Sequence, residues 1–172
     1  PAIKSFDEDG IVVYSGSFSK IVAPGIRVGF VLANKDIIAK LTVAKQTQDV
    51  HTPMLSQLIV YKWLTECDYK AHIAKIVEIY TRKLNLLCDC IDSELSDFLT
   101  YHRPEGGLFV WAKLNDGIDM LDFVKKASTA GVSVVPGNAM MVDGDAPCSY
   151  IRMNFSTPSD EAIVKGVKIL GE

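Results

Sequence analysis

The chain has 172 residues, of which 48% are hydrophobic and 23% are charged, and its formal net charge is −3. This composition is ordinary for a globular protein long enough to bury one core or two smaller ones, and the negative charge argues against a nucleic-acid partner for this chain. No apolar run reaches the length of a membrane span and no signal peptide opens the sequence, so no membrane association is predicted.

The four cysteines, Cys67, Cys88, Cys90 and Cys148, have no zinc-ligand spacing, and no metal site is predicted. Two of them are two positions apart on a predicted helix, where their side chains point away from each other. We therefore expect free thiols in a reducing cytoplasm. The sequence lacks an initiator methionine and leads at once into a predicted strand, so we expect a fragment of a longer protein.

The first third of the sequence predicts two buried strands and two helices. The strands are continuous apolar runs, and a Pro-Gly pair marks the loop between them. Asn34 is a suitable cap for the first helix, and Thr52-Pro53 is a typical start for the second. In chain order, the predicted elements are strands at 11–15 and 27–33 and helices at about 35–45 and 53–65.

The longest predicted helix is capped by Asp68. Apolar residues recur along it at three- and four-residue steps from Ile73 to Leu95, which indicates a stripe that packs into the core rather than a cofactor site. Short strands around one helix follow from about Phe98. The predicted strands lie at 108–114, 132–135 and 150–155. A helix is predicted at 120–130, which Gly131 can end, and a last helix is capped by Ser159.

The segment Gly16-Ser17-Phe18-Ser19-Lys20, with Arg27 seven positions after the lysine, carries groups that can hold a phosphorylated aldehyde. An amine forms a Schiff base with the aldehyde, while hydroxyls and a guanidinium bind the phosphate. The Ser-x-x-Lys pattern by itself also occurs at the nucleophile of penicillin-binding proteins and β-lactamases, but their Ser-Asp-Asn and Lys-Thr-Gly partners do not occur here. A chance Ser-rich turn before a surface lysine is the other interpretation.

This segment resembles the pyridoxal-phosphate lysine region of the class I and II aminotransferases of fold type I. The resemblance is greatest to the branch that holds aminoadipate and kynurenine aminotransferases and the aminotransferase-like regulators. It implies pyridoxal 5'-phosphate as a covalent aldimine of Lys20, phosphate donors in Ser17 and Ser19, and a phosphate clamp in Arg27.

Two later segments are similar to the same family. Residues 104–111, Pro-Glu-Gly-Gly-Leu-Phe-Val-Trp, match its Pro-x-Gly-Gly-x-Phe-x-Trp segment and serve as a fold marker, although a simple hairpin would also explain them. Residues 152–156 match its Arg-x-Asn-Phe-Ser strand, which implies that Arg152 binds the substrate α-carboxylate. The alternative is a solvated arginine on an edge strand. At residues 136–141, Pro-Gly is followed by methionines where the family has phenylalanine.

The resemblance implies an α/β fold, the C-terminal part of a fold-type-I aminotransferase. Residues 1–50 would end the large-domain sheet, 51–67 would form a connecting helix, and 68–172 would form a small α/β domain. The implied reaction is amino-group exchange between an amino acid and a 2-oxo acid in a homodimer. The family's aspartate at the pyridine nitrogen lies upstream of the lysine, so we expect this chain alone to be inactive.

Two other functions stay open. In some bacterial transcription regulators, an aminotransferase-like domain follows a winged-helix DNA-binding domain in the chain. In such a protein the cofactor lysine would serve as an effector sensor. The second open function is another reaction on the same cofactor, either decarboxylation or β-elimination. Arg152 favours reactions in which the substrate keeps its carboxylate.

Overall fold

The structure is a computed structural model that describes residues 1–144 and 146–172. The chain forms two units, Pro1–Ile76 and Val77–Glu172, and a long helix passes from the first into the second. The domain boundaries expected at residues 50 and 67 stay predictions. Among the helices of the two described ranges, none combines the length and the hydropathy of a membrane span.

The first unit holds a two-stranded antiparallel sheet. Strand β1 (Tyr14–Ser17) pairs with strand β2 (Gly29–Leu32), and Ser17 lies opposite Gly29. Residues 18–28 connect the two strands. The segment predicted to carry the lysine is therefore the connection of a hairpin.

Strand β1 begins later than the sequence predicts and is not buried. The backbone N–H groups of Ile11 and Val12 donate to the carboxylate of Asp7, at 3.0 and 3.1 Å. Because these amides are already bonded to a side chain, they do not join a sheet. Ile11 is 76% exposed, and every residue of β2 is exposed as well. The expectation of two buried strands is therefore wrong for the residues of this chain.

Three helices follow, and the caps predicted for two of them are confirmed. At the first, Asn34 Oδ1 accepts hydrogen bonds from the backbone N–H groups of Asp36 and Ile37, at 3.1 and 2.9 Å. At the third, the Asp68 carboxylate accepts one from Ala71 at 3.0 Å. These contacts satisfy amides that have no partner within a helix. The helices are α1 (Lys35–Gln48), α2 (Met54–Glu66) and α3 (Tyr69–Glu94).

The second unit is built on an antiparallel sheet of four strands in the order β3-β4-β6-β5. Its central strands match the predicted ones closely. The short strand β3 was not predicted, and β5 begins three residues later than expected. The strands are β3 (Leu99–Tyr101), β4 (Phe109–Leu114), β5 (Val135–Pro136) and β6 (Tyr150–Asn154).

The core of the second unit lies between one face of this sheet and helices α3, α4 (Met120–Thr129) and α5 (Asp160–Gly171). Alternate residues of the central strands point into it, so that Val110, Ala112 and Ile151 are fully buried. The apolar stripe of α3 packs there through its C-terminal half, which includes Leu84, Leu87, Ile91 and the following Leu95. The mixed helix-and-sheet structure confirms the predicted α/β class.

Candidate cofactor and substrate site

The lysine loop, residues 18–28, is a tight turn that presents Lys20. The N–H of Phe18 donates to the carbonyl of Val28 at 3.0 Å, and the carbonyl of Phe18 accepts from Val22 at 2.8 Å. Lys20 is exposed, and its side chain has no hydrogen bond or ion pair with any residue that the structure describes. Its amine is therefore free to attack an electrophile such as an aldehyde.

Three predicted phosphate ligands converge beside this lysine. Ser17 Oγ lies 3.0 Å from Ser19 Oγ and also accepts from the backbone N–H of Ser19 at 3.1 Å. Arg27 Nη1 lies 3.5 Å from Ser19 Oγ and donates to the carbonyl of Pro24 at 3.1 Å. Two hydroxyls and a guanidinium in contact match the donors that a phosphate monoester takes, so these residues fit the phosphate of pyridoxal 5'-phosphate.

The backbone of Arg27 adopts the left-handed conformation, with φ of 54°. For a residue other than glycine this conformation costs about 1–2 kcal/mol. Such strain persists where the surrounding structure enforces it, and it concentrates at functional sites. Here it ends the 3₁₀ turn Pro24–Ile26 and lets the guanidinium return to the carbonyl of Pro24.

The start of the lysine loop packs against the ring of Phe30. A Cβ added to Gly16 would lie 2.3 Å from this ring, so the close approach requires glycine. Phe18 and Tyr14 contact the same ring, with centroids 5.5 and 5.9 Å away. An aromatic cluster therefore fixes the strand that leads into the loop.

His72, to which the sequence assigned no role, anchors the other side of the loop. Its Nε2 lies 3.1 Å from the carbonyl of Ile21, which can only accept, so the ring nitrogen is the donor. The imidazole also meets the Trp63 ring edge-on, at 5.8 Å between centroids. The residue after Lys20 is thus tied to helix α3 within the first unit.

Arg152 lies in the second unit, on strand β6, on the face of the sheet opposite the core. Its neighbours in sequence, Ile151 and Met153, are buried, as the alternation of side chains along a strand requires. Its Cζ lies 4.2 Å from the centroid of the Phe109 ring, and its Nη1 lies 3.8 Å from the Sδ of Met140. We name this surface the arginine face and define it by Phe109, Trp111, Tyr150, Arg152 and Asn154.

The guanidinium of Arg152 offers its two Nη groups to a ligand. Its Nε is buried and has no hydrogen-bond partner within the described residues, so that edge is closed. Within the described ranges, no carboxylate forms an ion pair with Arg152 or neutralises its charge. A carboxylate can bind end-on, with one oxygen on each Nη.

Two contacts of Arg152 were missed in the sequence. Phe109 was interpreted only as part of a fold marker, and Met140 only as a departure from the family pattern. Alternation along the strand puts Phe109 on the face opposite Val110, but the pairing register that brings Phe109 to Arg152 cannot be read from either strand alone. Met140 arrives through the 3₁₀ turn Gly137–Met140, which no pattern predicted.

Comparison with known proteins confirms the resemblance. The family model for aminotransferase class I and II matches residues 2–170. Aromatic-amino-acid aminotransferase 1 of Thermococcus litoralis is 39% identical over 170 residues, which are 99% of this chain and 40% of that relative. The crystal structure of Pyrococcus horikoshii kynurenine aminotransferase, in complex with PMP, matches with a TM-score of 0.92 and 32% identity, over 98% of this chain and 41% of that one.

A protein of another class matches as well. An uncharacterised HTH-type transcriptional regulator of Bacillus subtilis is 30% identical over 169 residues, which are 98% of this chain and 34% of that relative. The chain spans about 40% of the length of the two aminotransferases named above. Since the family model covers nearly every residue from first to last, the chain belongs to the class I and II aminotransferase family.

Proposed function

We propose that the full-length protein containing this chain exchanges amino groups between an amino acid and a 2-oxo acid, with pyridoxal 5'-phosphate as cofactor. The observation that carries the proposal is the convergence of Ser17, Ser19 and Arg27 beside the free amine of Lys20. In a member of the aminotransferase family, this arrangement is best explained as a phosphate cradle next to a reactive lysine.

Lys20 is the residue that we assign to covalent binding of the cofactor and to proton transfer. When bound, the cofactor supplies an electron sink for bonds at the substrate Cα. The Lys20 amine, which no described residue engages, would take the proton from the substrate Cα and deliver it to the cofactor carbon that receives the amino group. Its exposed position on a tight loop leaves it room to make both transfers.

Arg27 and the two serines bind and orient through the phosphate. A guanidinium contributes charge as well as N–H donors, and charge-assisted hydrogen bonds are the stronger ones. Because Arg27 is held by the Pro24 carbonyl and Ser19 at the same time, its planar group is oriented before the phosphate arrives.

Arg152 binds the α-carboxylate of the substrate end-on through its two Nη groups. A bidentate pair fixes the direction of the carboxylate and therefore the orientation of the bonds at Cα. The names of the two relatives above suggest aromatic amino acids and kynurenine as the first substrates to test. 2-Aminoadipate completes the panel because the sequence resembles that branch.

The remaining expectations are part of the same proposal. The full-length protein is a homodimer in the cytoplasm, which light scattering and cell fractionation test. The isolated 172-residue chain transfers no amino groups, since it spans only about 40% of the relatives' length. A measurable transfer rate from the isolated chain would contradict that expectation.

The test of Lys20 is reduction with borohydride followed by peptide mapping of the full-length protein. We expect pyridoxal 5'-phosphate to be fixed on Lys20 in the wild type and to be lost, together with the visible absorbance of the Schiff base, in Lys20→Ala. Lys40→Ala is the matched control, because Lys40 is an exposed lysine of the same unit. Fixation on another lysine would refute the assignment.

The second candidate is an effector domain of a winged-helix transcription regulator, and the match to the Bacillus subtilis regulator favours it. The coding sequence upstream of Pro1 decides between the two. A DNA-binding module there, with a shift of promoter DNA that depends on pyridoxal 5'-phosphate, would make Lys20 part of a sensor. An upstream half without such a module, together with amino-group transfer, supports the enzyme.

A further inference from the structure

We propose that Phe109 is a positioning residue that holds the guanidinium of Arg152 ready for the substrate α-carboxylate. The inference rests on the proposed function, in which Arg152 binds that carboxylate. Its starting point is the contact between the Arg152 Cζ and the Phe109 ring, 4.2 Å from the centroid. At this distance the face of an aromatic ring attracts a cation.

The contact is not the one that strand pairing alone would produce. Trp111 is the residue directly opposite Arg152, whereas Phe109 is opposite Asn154. The arginine therefore leans diagonally along the sheet to reach Phe109. Trp111 instead stacks on Tyr150, with centroids 5.3 Å apart and planes 10° from parallel. The arginine face is thus divided into an aromatic pair and an arginine–phenylalanine pair.

A neutral ring suits this task better than an acidic partner. A carboxylate from the chain would occupy the Nη groups and neutralise the charge that the substrate needs. The Phe109 ring lies against the guanidinium at Cζ and uses none of its N–H donors. Among the residues that the structure describes, the guanidinium donates only to the Met140 Sδ, through a weak contact of 3.8 Å from Nη1. Phe109 therefore restrains the arginine and leaves its binding edge free.

The expected effect follows from the cost of ordering a side chain on binding. Without the ring, the arginine must lose rotamer freedom when the carboxylate arrives, which weakens binding by about two- to tenfold. The loss falls on the affinity for the amino acid. The turnover number and the binding of pyridoxal 5'-phosphate, which contacts other residues in the proposed function, should stay within about twofold.

The experiment uses the full-length protein loaded with pyridoxal 5'-phosphate and the amino acid that it converts best in the substrate panel. KM and kcat are measured for that amino acid, and Kd for its α-methyl derivative, which has no hydrogen at Cα. We expect Phe109→Leu to raise KM and Kd by about two- to tenfold, and Phe109→Tyr, which keeps the ring, to restore the wild-type values. Trp111→Leu is the matched control, because Trp111 is 38% exposed and Phe109 37% exposed on the same strand.

A double-mutant cycle with Arg152→Met separates the possible failures. If Phe109 acts through the guanidinium, Phe109→Leu has no further effect on Kd in the Arg152→Met background. Full additivity, or an equal loss in Trp111→Leu, overturns the positioning role and leaves the proposed function intact. An unchanged Kd in Arg152→Met alone, or no conversion of any amino acid, overturns the proposed function and this inference with it.

Discussion

Removal of the Arg27 guanidinium should weaken phosphate binding selectively. Arg27→Met keeps the length of the stem and needs the same left-handed backbone, so the strain at φ of 54° is unchanged. What disappears is a charged donor 3.5 Å from Ser19 Oγ, in the group of three that fits a phosphate. Hydrogen bonds to charged groups contribute about 1.5–3 kcal/mol, which corresponds to about 10- to 150-fold in affinity.

The assay compares two ligands that differ only in the phosphate. Apoprotein of full length is titrated with pyridoxal 5'-phosphate and with pyridoxal, and binding is followed by absorbance. Arg27→Met should weaken the binding of pyridoxal 5'-phosphate by the full factor given above. The binding of pyridoxal should weaken by less than about twofold, since pyridoxal offers no phosphate to Arg27. Lys40→Met, which removes an exposed cation of the same unit, should change neither. Equal losses for the two ligands would refute the phosphate role and assign Arg27 a structural one.

Three further predictions concern stability. Gly137→Ala should lower the free energy of unfolding in urea by about 1–3 kcal/mol, because the new Cβ would lie 2.4 Å from the Tyr150 carbonyl oxygen. Val50→Gly should raise it by up to about 1 kcal/mol, since a β-branched residue there has φ of 65°. The hydrogen bond from Lys4 lowers the pKa of Asp7 below its ordinary value of 3.8. Its contribution to stability is therefore present above pH 3.8 and lost as the pH falls through the lowered pKa, so Asp7→Asn should be less stable than wild type at neutral pH and approach it in acid.

Each of these predictions has its own control. Gly106→Ala should be neutral, since nothing lies within 4 Å of the new Cβ, and equal losses at both glycines would contradict the steric argument. Val50→Ala still needs the left-handed backbone and should gain less than Val50→Gly. A difference between Asp7→Asn and wild type that stays constant down to pH 3 would show that the carboxylate charge is not the cause.

Local signals in the sequence predicted most of the helices. Asn34, Asp68 and Ser159 each carry a side-chain oxygen suited to free amides at a helix start, and the structure shows each accepting from at least one such amide. The predicted start of strand β1 was wrong because the backbone N–H groups of Ile11 and Val12 donate to the Asp7 carboxylate instead of pairing with another strand. Strand β3 has only three residues, too few for an alternating pattern to show.

The candidate site likewise has a part that the sequence could indicate and a part that it could not. Ser17, Ser19 and Arg27 lie within 11 positions, at the end of β1 and in the connection that follows it. The sequence could therefore indicate their convergence, although their phosphate role stays a prediction. Strand alternation puts Arg152 on the face opposite Ile151 and Met153. Its contacts with Phe109 and Met140 depend on pairing register and on a turn between distant segments, which are properties of the folded sheet. The tie from His72 to Ile21 spans 51 positions for the same reason.

The two tryptophans of the chain give each unit its own optical reporter. Trp63 lies edge-on to His72 in the first unit. Trp111 lies flat against Tyr150 in the second unit, so the two indoles have different surroundings. Replacing one indole at a time with phenylalanine would therefore allow the opening of the lysine-bearing unit and that of the arginine-bearing unit to be followed separately in one polypeptide.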